Sequence, residues 1–80
     1  MTQLELRQEI AETVRKAMAE AGISDAALAR ATGVPRPTLR RKVAGERDFS
    51  FTELALVAVA LNIPSADLFN IAAASSGSAA

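Results

Sequence analysis

Two prolines two residues apart, in the stretch ATGVPRPTLRRKVAG at residues 31–45, restrict what this chain can fold into more than any other feature. The residue before a proline is pushed out of the helical region, so Val34 and Arg36 are expected to be extended. Pro37 suits the first position of a helix, where its missing N–H leaves no bond unmade. A helix can therefore run from Pro37 to about Ala44, with Gly45 supplying the left-handed stop. A rod of about two turns does not persist alone, so it must be held by helices before and after it.

Those neighbours are legible. Thr2 with Glu5 three residues on has the form of a capping box, and Leu6, Ile10, Val14, Ala17, Met18 and Ala21 recur at helical spacing. A first helix over about residues 3–21 follows, stopped by Gly22. Ser24 can cap a second, with Asp25 at the positive end of its dipole, Leu28 and Ala29 facing inward and Gly33 ending it. Ser50 and Glu53 repeat the capping-box form and open a helix to about Leu61. Asn62 tolerates the left-handed cap and Pro64 prevents continuation. Ser65 and Asp67 then begin a last short helix through Leu68, Phe69 and Ile71. Met18, Phe49, Phe51 and Phe69 are assigned to the core. The expectation is an all-α, five-helix domain over residues 1–71, followed by a flexible tail of small residues at 72–80, which has almost nothing to bury.

Composition narrows the chemistry. Half of the 80 residues are apolar, and there is neither cysteine nor histidine. Thiolate nucleophiles, Cys-based zinc sites and imidazole bases are thereby removed, so neither an enzyme nor a metal or other cofactor is expected. A domain this small offers no deep cleft for a small-molecule ligand. The longest uncharged apolar run, 54–61, is far short of a membrane span. A soluble, intracellular protein is the expectation.

The formal net charge is zero, but the charges are segregated. Residues 1–29 sum to −2, residues 30–47 to +5 and residues 48–80 to −3. Segregation of this kind can steer a polyanion to one face. With about 100° per residue, Leu39 and Val43 define the buried side of the third helix. Arg41 then points away from the core with Pro37 and Thr38 beside it, while Arg40 and Lys42 lie about 80° to either side of the buried direction. One cation outward and one at each edge is an arrangement for a groove, the central side chain toward base edges and the flanking ones toward phosphates. The plain alternative is a solvated, Arg-rich helix face.

The residues Leu28-Ala29, Gly33-Val34, Thr38-Leu39, Arg41 and Gly45, followed by Glu53-Leu54, Val57-Ala58, Leu61 and Ile63, resemble the lambda-repressor and Cro family of helix-turn-helix domains over roughly residues 6–70. The resemblance implies a sequence-specific transcriptional regulator of double-stranded operator DNA, a phage-type repressor. Its third helix would lie in the major groove, commonly in a dimer on half-sites about one helical turn apart. Base reading would fall to Arg36, Pro37, Thr38 and Arg41, and phosphate contact to Arg30, Arg40, Lys42 and Arg47. The chain departs from the family in three places. Asp25 stands where a polar amide often holds a phosphate. Pro35 and Pro37 stand where a hydroxyl cap and a polar reader are usual. Met18 and Val43 replace an Arg-Glu pair between the first and third helices.

Leu56 and Val59, three apart on another face of the fourth helix, are apolar where the family usually tolerates polar residues. A helix hydrophobic nearly all round must be covered on both sides. Either residues 68–71 fold over that face or a second copy of the protein does, and the symmetry of operators favours a homodimer. A different reading of the same face is a protein-interaction module, antitoxin-like or polymerase-docking, built on the helix-turn-helix scaffold.

Overall fold

The computed structural model describes residues 2–64, which form four α-helices: α1 (Gln3–Ala21), α2 (Asp25–Thr32), α3 (Arg36–Val43) and α4 (Phe51–Leu61). The described residues thus hold four helices where five were expected. The expected last helix, the tail and the core assignment of Phe69 lie outside the described residues.

Three starts follow the hydroxyl caps. Thr2, Ser24 and Ser50 each accept a hydrogen bond from the backbone N–H three residues on. At Ser50 the reciprocal bond is also made, the Ser50 N–H donating to the Glu53 carboxylate at 2.7 Å, which completes the capping box. Phe49, just outside that cap, packs against the cluster of Leu54 and Ala58 and so staples the entry to α4. The ends are equally local. Gly22 and Gly33 take left-handed angles, and Asn62 does so at φ 55° without being glycine.

α3 begins one residue earlier than expected, with Arg36 inside the helix and Pro37 at its second position. The bias that proline places on its predecessor is local and modest. Here it yields to the first backbone bond of the helix, Leu39 N–H to Pro35 carbonyl at 2.9 Å. Pro37 still removes no bond, because the first four N–H groups of any helix have no partner inside it. Arg36 is therefore helical, not extended. At the other end α3 closes at Val43, and the Gly45 and Glu46 N–H groups reach back to the Lys42 and Arg41 carbonyls at 3.1 and 2.9 Å. This paired closure needs a left-handed residue, and Gly45 supplies it at φ +82°. An added Cβ would meet the Ala11 Cβ at 3.6 Å and the Gln8 side chain at 3.4 Å, ordinary contact distances, so it is the left-handed angle that calls for glycine here.

The core is a convergence of all four helices. Val14, Leu28, Leu39 and Val57, one from each helix, are completely buried. Met18, Val34, Val43 and Leu61 complete the cluster around them. Met18 and Val43 thus meet in one apolar core. α1 and α2 each pack on both α3 and α4. The single buried polar side chain among the described residues, Thr32, is satisfied locally: its hydroxyl donates to the Leu28 carbonyl at 2.8 Å and accepts from the Val34 N–H at 3.3 Å. That bond ties the end of α2 to the turn into α3.

Phe51 is not in the core; it is 73% exposed. Leu54, Val57, Ala58 and Leu61 set the inward direction of α4, and Phe51 lies about 70° from it, on the first turn. Its hydrophobicity did not decide its burial; the reach of the neighbouring helices did.

α3 is pinned to its neighbours by polar contacts as well. Arg15 on α1 donates from Nη1 to the Val43 carbonyl at 2.7 Å, capping the end of α3. Lys42 Nζ sits 2.5 and 2.6 Å from the two carboxylate oxygens of Glu53 on α4, with the side chains only 13% and 20% exposed. Burial pushes the Glu53 carboxyl up, but hydrogen bonds from Lys42 and Ser50 and the charge of Lys42 outweigh it, so its pKa lies below its ordinary value of 4.5.

Two outcomes follow. Leu39→Ala removes a fully buried side chain and is expected to destabilise the fold by about 2–5 kcal/mol, measured by urea denaturation. Because the folded Glu53 carboxyl holds its charge to lower pH than in the unfolded chain, its contribution is complete above pH 4.5 and fades as pH falls through the folded value. Glu53→Gln, which keeps an acceptor for the cap, should cost about 1–3 kcal/mol at neutral pH and flatten the acid limb of stability against pH.

Candidate nucleic-acid interface

The outward face of α3 is set by what the inward face must bury. With Leu39 at 0% and Val43 at 7% exposure, Arg41 projects from the opposite side and is exposed. Pro37 is exposed and Thr38 half-buried next to it. These three side chains, together with Arg47 from the link after α3, line one shallow groove. On the other side of Arg41 lies a wider cleft, lined by Pro37, Arg40 and Arg41 and closed by Arg15, Asp25 and Glu46 among others. Pro37 and Arg41 stand on the ridge between the two depressions.

The two flanking cations are not equivalent. Arg40 is 66% exposed and loosely paired with Asp25 at the start of α2, Nε to Oδ2 3.8 Å. Lys42, expected to mirror it as a phosphate contact, is instead committed to Glu53 and turned toward α4. Helix geometry alone treats the two positions as symmetric. The packing of α4 breaks that symmetry by covering one edge, and removing a half-buried ammonium from its carboxylate would leave both groups unpaired. The basic surface is therefore lopsided, with Arg40 and Arg47 as the open cations beside Arg41.

Arg47 owes its place to a contact far apart in sequence. Arg7 on α1 grips Asp48 through two bonds, Nε to Oδ1 at 2.7 Å and Nη2 to Oδ2 at 3.4 Å. The hydrogen bond from Arg7 holds the Asp48 carboxyl below its ordinary value. With the paired closure at Gly45 on one side and this clamp on the other, the residue between them is held against the α3 groove. Arg36 and Arg30 are both exposed, Arg36 at the first turn of α3 and Arg30 in the last turn of α2, and neither lines the two depressions around Arg41. Leu56 and Val59 are 40% and 81% exposed on the outer side of α4.

Four polar ties among the described residues leave little mark in the sequence: Arg7 to Asp48, Arg15 to the Val43 carbonyl, Arg40 to Asp25 and Lys42 to Glu53. None falls at the three- or four-residue spacing that marks a pair on one helix. The one available signal was Glu53, an acidic residue already fixed by its cap and hence poised to hold a cation nearby.

Among the described residues no helix is long and apolar enough to cross a membrane. The family model for Cro/C1-type helix-turn-helix DNA-binding domains matches residues 13–73, most of the chain. No individual curated protein matches it.

Proposed function

Starting from the chain's membership of the Cro/C1-type helix-turn-helix DNA-binding domains, we propose that it is a sequence-specific regulator of transcription, a phage-type repressor that lays α3 in the major groove of double-stranded DNA. The observation that carries this reading is the exposed ridge of Arg41 and Pro37, with the half-buried Thr38 beside it, on the side of α3 away from the buried Leu39 and Val43. Arg41 reads a base edge, with a guanine the natural partner for a bidentate guanidinium. Thr38, Pro37 and Arg36 supply the neighbouring base contacts. Arg40, Arg47 and Arg30 meet phosphates, and Lys42 is withdrawn from that role because Glu53 holds it.

The outer side of α4 supports a dimer. Val59 and Leu56 are large apolar side chains open to water three residues apart. Two copies joined there would present two α3 helices to two half-sites of a palindromic operator. The same exposed pair supports a second reading, a module that docks another protein through α4. A stable partner complex that leaves Arg41 exposed, with no duplex affinity at low salt, would establish it in place of the first.

Selection of bound fragments from random DNA is expected to return a short sequence read by one copy, repeated in inverted form at about one helical turn. Arg41→Ala should lose about 1–3 kcal/mol of discrimination at one base position, whereas Arg47→Ala weakens all sequences alike and lowers the log-log salt slope by about 0.9. Equal loss on every sequence for Arg41→Ala would remove its reading role. Val59→Glu should shift sedimentation from dimer to monomer and weaken binding to the inverted repeat while leaving single-site contacts intact.

A further inference from the structure

The cleft beside Arg41 contains a carboxylate where a polyanion would arrive. Asp25 is the first residue of α2, its side chain is 35% exposed, and its Oδ2 lies 3.8 Å from Nε of Arg40. Glu46 lines the same cleft but forms no ion pair with Arg40 among the described residues. An ion pair this open to solvent and this long is weak. Arg40 can therefore be drawn away by a better anion, while the charge of Asp25 stays behind.

Resting on the DNA-binding reading above, we propose that Asp25 is a built-in competitor of the DNA phosphate, a positioning residue that holds Arg40 and repels the backbone at the start of α2. Its effect reaches the DNA through charge and does not depend on base sequence, because phosphates are the same at every position. Asp25 thus lowers affinity for all duplexes together. The same carboxylate completes the first turn of α2, where it offsets the helix dipole beside the Ser24 cap, so it is tolerated by the fold at the place where it opposes the ligand. A protein whose phosphate contacts are weakened in this way relies more heavily on its base readers to stay bound.

The test is binding of the full chain to a labelled duplex of about 20 base pairs and arbitrary sequence, and to the selected site, between about 50 and 200 mM salt. Asp25→Asn keeps the size of the side chain and the Ser24 cap, and thermal melting checks that it folds. The variant should tighten both duplexes about three- to ten-fold at low salt, and the salt slope should steepen by up to about 0.9 as Arg40 becomes a full phosphate contact. Arg40→Ala should then cost more affinity in the Asp25→Asn background than in the wild type, and Glu46→Gln should gain less than Asp25→Asn. Wild-type binding with unchanged or weaker affinity for Asp25→Asn overturns the inference. So does an Arg40→Ala loss equal in both backgrounds, or an equal gain from Glu46→Gln, which would report bulk charge. A wild-type chain that binds no duplex at low salt removes the DNA-binding reading itself, a result seen in the wild-type arm alone.

Discussion

Four side chains with no solvent exposure, one from each helix, hold this domain together. Val14, Leu28, Leu39 and Val57 meet in one cluster, and each is worth about 1.5–3 kcal/mol in burial against a total stability for a domain of this size of only about 5–15 kcal/mol. No two-turn helix could persist without that meeting point. The direction of Arg41 is a by-product of it: once Leu39 and Val43 are turned inward, the opposite side of α3 has nowhere to point except water.

The polar contacts refine what the core establishes. Arg15 caps the C-terminal carbonyl of α3 from α1, Lys42 anchors its side to α4, and Arg7 fixes the link that follows. α3 is thus tied at its end, along one flank and through its exit. A helix held this firmly loses little conformational freedom on meeting a partner, which favours affinity without any additional contact. The lopsidedness has a chemical meaning too. One flank of α3 is used for stability, and the other carries the exposed Arg40 beside Asp25.

Much of the fold could be read from the chain because its signals are local. A hydroxyl at positions 2, 24 and 50 and a left-handed residue at 22, 33 and 62 bracket three of the four helices almost to the residue. The start of α3 was harder, since two opposing local effects meet at Arg36 and the backbone bond to Pro35 prevails over the steric bias. What the chain hid was everything set by neighbours. Phe51 looks like core and is exposed, and Lys42 looks open to a groove and is half-buried in an ion pair with Glu53. Periodicity on one helix carries no information about which edge a second helix will cover. Arg41, Pro37 and Thr38 stood out in the sequence because their direction depends on α3 alone.

The separation of charge along the chain has a consequence for encounter. With zero net charge, the molecule feels almost no overall pull toward a distant polyanion. The exposed glutamates of α1 and the arginines around α3 nevertheless give it a dipole, and a dipole in the steep field near a phosphate backbone experiences a torque. Such a molecule is rotated before it is attracted, so the collisions that matter are the ones already facing the right way.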